Sequence, residues 1–331
     1  MTSHSLTQSR SDTRSAHSER GAAQRFNLND GRQLAYAEYG AVRGFPLLYV
    51  HDSESSRLEA AFFDVEARRK GFRLVALDRP GVGESDSHAA FTRESCAEDI
   101  LQLADHLDCD HFGILVTGAG CGIALVTASM APNRVAMVLG LSSQLPVCGG
   151  QSGLFCSLLR RLFGTFLQGT VSLRLLLRES NPEHYIQRLR ESLAYPDRQL
   201  LENPRISNQL IEVGLEAVRC GATGVSRDAV LAMTPLHLDL QKLRMPVHFW
   251  QGGCEVSTLH NSLRGIAAAL PAGTLHRLNN RGRFFFWRHT EEVFAVAHAA
   301  LRCKESPVLT TTIRKDRFVP DDDVISVAMA S

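Results

Sequence analysis

The sequence has little of what marks several large classes of protein. Its 331 residues carry 36 basic and 35 acidic side chains, for a net charge of +1. A chain without a basic excess has no electrostatic footprint for nucleic acid or an anionic membrane. The apolar stretch from Leu158 to Leu177 is broken by three arginines, whereas a membrane span needs about 18 uncharged apolar residues. We therefore expect a cytoplasmic protein with no nucleic-acid or membrane partner.

The cysteine spacing also excludes common metal and redox sites. No two of the eight cysteines form a CxxC pair, so we expect reduced, mostly buried thiols, no metal and no other cofactor. The first 23 residues are polar, rich in Ser and Arg, and lack the apolar segment of a secretory signal. We interpret them as a disordered arm.

What the chain does contain is a regular alternation of two patterns. Short uncharged apolar runs, such as FGILVT at 112–117, alternate with amphipathic helical segments, which is typical of an α/β protein whose mostly parallel central sheet is flanked by helices. An opening hairpin is predicted around Asp30-Gly31, with a type I′ turn. Between 145 and 239 the pattern is helical throughout. The predicted organisation is an N-terminal arm (1–23), a core (24–144 and 240–302), a helical cap (145–239) and an irregular tail (303–331).

One strand segment ends in a cluster of small residues. The stretch FGILVTGAGCGIAL (112–125) passes from an apolar strand through Gly118 and Gly120 into a helix of small residues. Many hydrolases carry a nucleophilic serine on such a crowded turn, within G-x-S-x-G. Here the serine position is Gly118, and no G-x-S-x-G occurs elsewhere in the chain.

Further segments, in the same order along the chain, resemble the α/β-hydrolase superfamily, above all bacterial members with a helical cap. DGRQLAYAEYG is similar to the family's first hairpin, LLYVHDSESSRL to its oxyanion turn, and LDRPGVGESD to the loop after the next strand. MPVHFWQGGCEV resembles the strand that delivers the catalytic acid, and LNNRGRFFFWRHTEEVF the loop that delivers the histidine. The likeness extends from Phe26 to Leu301 and implies an α/β-hydrolase fold with a helical cap insertion.

The resemblance also identifies the catalytic positions that have changed. The positions of serine, acid and histidine read Gly118, Glu255 and Arg283. Arg283 cannot act as a general base, because a guanidinium stays protonated and has no lone pair to accept a proton. In the oxyanion turn, His51-Asp52 replaces the family's His-Gly, and a carboxylate there would repel the developing oxyanion. Since acyl transfer needs both a nucleophile and a base, we expect the ordinary mechanism to be lost.

Other residues are candidates for a different chemistry. Cys121 lies on the first helical turn, where a helix N-terminus lowers a thiol's pKa, although a small buried hydrophobe is the plainer interpretation. Thr117 should point away from the bend. We expect the pocket at the oxyanion turn to be formed by His51, Asp52, Ser53 and Ala119.

The new partner of Arg283 is left open by the sequence. An ion pair with Glu255 is the first expectation, because the family's acid and histidine touch each other. The alternatives are a pair with Asp52, a guanidinium that points into the cavity and holds an anion, or one that extends into solvent.

Two functions follow from these changes. The first is a non-hydrolytic pseudoenzyme that binds a small apolar or amphiphilic ligand, or a partner, in a cavity above Gly118 between cap and core. The alternative is a repurposed enzyme, such as a lyase, cyclase or atypical hydrolase in a biosynthetic tailoring step, that uses Asp52, Glu255, His51 or Cys121. A homodimer is compatible with either function.

Overall fold

A single sheet organises the molecule. The computed structural model describes residues 21–145, 166, 169–170, 181–255 and 257–305. Within these ranges eight strands pair in the order β1-β2-β4-β3-β5-β6-β7-β8. Only the β1–β2 and β2–β4 pairs are antiparallel among them, so the predicted mostly parallel sheet is confirmed. The strands are β1 (Gln24–Asn27), β2 (Gln33–Gly40), β3 (Phe45–Val50), β4 (Phe72–Leu77), β5 (Phe112–Thr117), β6 (Val135–Leu141), β7 (Val247–Gly252) and β8 (Gly273–Leu278).

Helices alternate with these strands. In chain order they are α1 (Asp64–Arg69), α2 (Arg93–His106), α3 (Cys121–Met130), α4 (Pro182–Ser192), α5 (Tyr195–Leu200), α6 (Pro204–Ala217), α7 (Ala222–Ala232), α8 (Ser257–Ala269) and α9 (Glu291–Glu305). Since α9 continues to Glu305, the prediction of an irregular tail from residue 303 is wrong by about one helical turn. Residues 1–20 of the predicted arm and 306–331 of the predicted tail lie outside the described residues. Among the described residues, no helix is both long and apolar enough to cross a bilayer.

The core lies on both faces of the sheet because successive strand side chains point in opposite directions. In β3, Leu48 and Val50 pack into a cluster with α2, α3 and α8, whereas Leu47 and Tyr49 pack into a second cluster with α1 and α9. Burial on both faces explains why these strands read as continuous apolar runs.

The opening hairpin forms, but its turn is not the predicted type. A type I′ turn needs positive φ at both central residues. Among the turn residues only Gly31 has a positive φ, of 87°, and it follows a β-turn closed by a 3.0 Å bond from Gly31 N–H to the Leu28 carbonyl. The loop is therefore a longer one with a left-handed glycine at its end.

Four of the described helices, α4 to α7, lie between β6 and β7 and are called the inserted helices below. Three arginines of the core hold two of them, α6 and α7, above the carboxyl ends of the strands. Arg79 pairs with Asp228 at 2.6 Å and Arg57 with Glu216 at 2.6 Å, while Arg93 donates to the Leu231 carbonyl at 2.8 Å. The predicted cap boundaries stay a prediction, because most of 146–180 lies outside the described residues.

Candidate functional site

The sharp bend after β5 begins at Gly118. Gly118 has φ +50°, a left-handed conformation that favours glycine. The short 3-10 segment Gly118–Gly120 then leads into α3. The bend therefore has the shape of a nucleophile turn, but Gly118 presents no side chain.

The carboxylate of Asp52, at the end of β3, fills the space above this bend. Asp52 Oδ1 accepts hydrogen bonds from the backbone N–H groups of Ala119 and Ser53, each at 2.8 Å. A Cβ atom added to Gly118 would overlap the same carboxylate. In hydrolases of this kind, the N–H that follows the nucleophile stabilises the oxyanion. Asp52 therefore fills the space that a side chain at position 118 would need and binds the Ala119 N–H.

Arg283 holds this carboxylate from the far side of the site. Its Nη2 forms an ion pair with Asp52 Oδ2, so the first expectation, a pair with Glu255, is wrong and the Asp52 alternative is the one formed. With its amide oxygen facing Arg283, Gln144 accepts from Nη1 at 2.9 Å and from Nη2 at 2.8 Å. The Asp52 side chain is 13% exposed and the Arg283 side chain is 35% exposed. Water therefore reaches the guanidinium more than the carboxylate.

Glu255 lies near Arg283 without replacing Asp52 as its ion-pair partner. Glu255 Oε1 accepts from the Gly252 N–H at 2.9 Å and lies 2.8 Å from Ser142 Oγ, which is itself 2.6 Å from the Arg283 carbonyl oxygen. Ser142 thus links the acid position to the backbone of the base position.

A second carboxylate, from α5, fixes the backbone of the Arg283 loop. Asp197 is buried and accepts from the N–H groups of Arg283 at 2.8 Å and Phe284 at 2.9 Å. A Cβ atom on Gly282 would overlap Asp197, so glycine allows this close approach. The guanidinium carbon of Arg283 lies 5.8 Å from the centre of the Phe284 ring, within cation–π range.

In the Asp52–Arg283 pair, each side chain stabilises the ionised form of the other. Burial raises the pKa of Asp52, but the Arg283 charge and the two backbone N–H groups outweigh it, and the pKa is lowered. Burial lowers the pKa of Arg283, and the Asp52 carboxylate more than reverses that effect. The pair is therefore ionised at neutral pH, and Asp52 is a weak proton acceptor.

His51 supports the backbone of the turn that carries Asp52. It is fully buried, and its Nδ1 lies 2.8 Å from the Asp52 carbonyl oxygen and 3.2 Å from Arg79 Nη2. Burial and the Arg79 charge hold the pKa of His51 well below its usual value. A neutral imidazole locked behind the oxyanion turn orients that turn.

The alternative nucleophiles are also engaged or buried. Cys121 is fully buried, and burial raises the pKa of its thiol to about 12, although the Ser143 hydroxyl opposes the shift. Four further cysteines are free thiols: Cys96 and Cys109 are buried, and Cys220 and Cys254 are exposed. Ser53 Oγ donates to Asp228 at 3.1 Å, and Thr117 lies against Tyr49 beneath the bend.

Four residues of the site were missed by the sequence reasoning: Gln144, Ser142, Asp197 and Glu59, whose Oε2 lies 3.1 Å from Thr117 Oγ1 beneath the bend. Ser142 and Gln144 come just after β6, the strand next to β5. Their place at the carboxyl end of a central strand could have identified them as site residues. Asp197 and Glu59 carry no local motif. No group of three or more metal-ligating His, Cys, Asp or Glu side chains occurs among the described residues. The cavity predicted above Gly118 stays a prediction.

Comparison with known proteins agrees with this architecture. The family described as "alpha/beta hydrolase fold" matches residues 44–325. Similar solved structures include the epoxide hydrolase CorEH (18% identity, TM-score 0.62, 86% of this chain and 99% of that chain). A thermophilic esterase from Thermogutta terrifontis is also similar (18%, 0.63, 86% and 100%), as is the enol-lactonase from Burkholderia xenovorans LB400 (13%, 0.63, 84% and 100%). At such identities the likeness shows a shared fold alone.

A curated relative matches over a shorter segment. The dihydrolipoyllysine-residue acetyltransferase component of an acetoin cleaving system, from Pseudomonas putida, is 34% identical over 116 residues. That match covers 34% of this chain and 30% of the relative, so the activity of the whole relative does not transfer.

Proposed function

This chain belongs to the alpha/beta hydrolase fold family, and from that premise we propose that it is a non-hydrolytic member that binds a small apolar or amphiphilic molecule, or a partner, at its altered site. The observation that carries the proposal is the Asp52 carboxylate, which fills the nucleophile's space and takes the Ala119 N–H. An incoming ester oxygen would meet a fixed negative charge where a donor is needed.

The repurposed-enzyme alternative is less well supported by the same contacts. Asp52 is paired with Arg283, and Cys121 is buried with a pKa of about 12. His51 is kept neutral behind the turn. A catalytic group is usually a perturbed group that faces the cavity and is free to exchange its proton, and these three residues do not fit that description.

The test is to rebuild the hydrolase. Since a side chain at position 118 would overlap Asp52, the double variant Gly118→Ser/Arg283→His should stay inactive on p-nitrophenyl esters. The triple variant that adds Asp52→Gly clears the space and frees the Ala119 N–H, and it should gain esterase activity that a serine-directed phosphonate abolishes. The double variant is the matched control, because it differs only at Asp52.

Two results would count against the proposal. Turnover of simple esters by the wild-type chain would contradict the loss of hydrolysis. A folded triple variant without activity would show that positions 118 and 283 were assigned incorrectly. Mass spectrometry of molecules that co-purify with the wild-type chain would identify the ligand.

A further inference from the structure

A buried carboxyl group that has no role in the proposal above lies beneath the bend. Glu59, in the 3-10 segment Arg57–Phe63, is 4% exposed. Its Oε2 lies 2.6 Å from Tyr49 Oη, 2.9 Å from Ser55 Oγ and 3.1 Å from Thr117 Oγ1. Tyr49 Oη and Thr117 Oγ1 are themselves 2.9 Å apart. The cluster therefore contains four oxygen–oxygen contacts.

The number of hydrogens decides the protonation of this cluster. Each contact needs one hydrogen between its two oxygens, since facing lone pairs repel each other at these distances. Three hydroxyl groups supply three hydrogens. Tyr49 keeps its own, because burial raises its pKa well above the usual value. The fourth hydrogen has to come from the carboxyl group.

We infer that Glu59 is a neutral carboxylic acid at neutral pH, so that its carboxyl group adds no charge beside the Asp52–Arg283 pair and the site accepts an uncharged ligand. Oε2–H then donates to Tyr49, Tyr49 donates to Thr117, and Thr117 and Ser55 donate back to Oε2. Every contact holds one hydrogen. The ligand class rests on the proposed function, whereas the proton on Glu59 does not.

The surroundings of Glu59 favour the neutral form. Burial raises the pKa of Glu59, and the Asp52 charge adds to that effect against the lowering by its hydroxyl partners. Arg283 is the cation that acts on Glu59 across the site, but its ion pair is with Asp52. Arg57, on the same 3-10 segment, is engaged with Asp78 and Glu216.

Carbon-13 NMR of glutamate-labelled protein tests the protonation directly. The Glu59 carboxyl signal is assigned by its loss in Glu59→Gln. At neutral pH it should keep the chemical shift of a protonated acid, while exposed glutamates show carboxylate shifts in the same spectrum. A carboxylate shift for Glu59 at neutral pH would overturn the inference without affecting the proposed function.

Two fluorescent probes with one ring skeleton test the ligand class. N-phenyl-1-naphthylamine is uncharged, and 8-anilino-1-naphthalenesulfonate adds a sulfonate. We expect the uncharged probe to bind the wild-type chain at least about tenfold more tightly. In Asp52→Asn, which leaves the Arg283 charge without its carboxylate, the preference should move toward the sulfonate.

The outcomes separate the two proposals. Tighter binding of the sulfonate by the wild-type chain would overturn the ligand class but leave a binding function in place. If neither probe bound, the ligand class would be wrong and the proposed function would rest on a partner alone, while the NMR signal would still decide the protonation of Glu59.

Discussion

Two buried carboxyl groups lie at the same bend, and their surroundings give them different protonation states. Asp52 has a guanidinium and two backbone N–H groups as partners. Glu59 has three hydroxyl groups. Burial raises the pKa of both, yet the pKa of Asp52 ends below its usual value and that of Glu59 above it. A nearby cation and amide donors stabilise an ionised carboxylate, whereas hydroxyl groups that must also satisfy each other do not compensate its desolvation.

The largest effect is expected from removing the charge at Asp52. Asp52→Asn leaves Arg283 without its counter-ion, and breaking a fully buried pair costs about 3–5 kcal/mol. Because Arg283 is about one-third exposed, we expect the free energy of unfolding to fall by about 2 kcal/mol. Urea unfolding of the wild type and Asp52→Asn measures this difference in the free energy of unfolding. A loss below about 0.5 kcal/mol would place this pair among ordinary surface ion pairs.

The pH dependence should have opposite sign for the two carboxyl groups. The stability from Asp52, whose folded pKa is lowered, is fully present above its unfolded pKa of about 3.9 and is lost as the pH falls through the folded value. The stability from Glu59, whose folded pKa is raised, is present below its unfolded value of about 4.3 and is lost as the pH rises through the folded one.

Urea unfolding of the wild type, Asp52→Asn and Glu59→Gln across this pH range measures both dependences. The wild-type advantage over Asp52→Asn should shrink in acid, and that over Glu59→Gln should shrink on going to neutral pH. Parallel curves for the two variants would mean that both groups ionise alike.

A smaller effect is expected from Glu59→Gln at neutral pH. The amide keeps the side chain neutral but cannot both donate and accept at one atom, so about one hydrogen bond is lost, worth about 1 kcal/mol. Thr117→Val removes a hydroxyl group from the same hydrogen-bonded cluster and is the matched control. It should lower the free energy of unfolding by a similar amount. A loss for Glu59→Gln as large as that for Asp52→Asn would indicate that Glu59 is ionised.

The smallest effect is expected for the chemical reactivity of Cys121, beside the bend. In the folded protein, iodoacetamide should modify Cys220 and Cys254, which are exposed, and leave Cys121 unmodified, because Cys121 is buried and its pKa is about 12. Peptide mass spectrometry after a short exposure, with urea-unfolded protein as the control, measures the difference. Rapid modification of Cys121 would return it to the list of nucleophiles.

The sequence alone determined much of this protein. Apolar runs and their spacing predicted the strands and the mostly parallel sheet, because strand and helix periodicities depend on neighbouring residues. The prediction that the ordinary hydrolytic mechanism is lost also came from single residues: Gly118 has no side chain, and Arg283 has no lone pair to accept a proton.

Only the tertiary structure decided which groups meet. Asp52 and Arg283 are 231 positions apart in the chain, and the strand order brings them to one edge of the sheet. No local pattern distinguishes Asp52 from Glu255 as the partner of Arg283, and none places Glu59 against Tyr49 and Thr117. The charge of each carboxyl depends on such distant partners and on burial, so it was fixed only when the strands assembled.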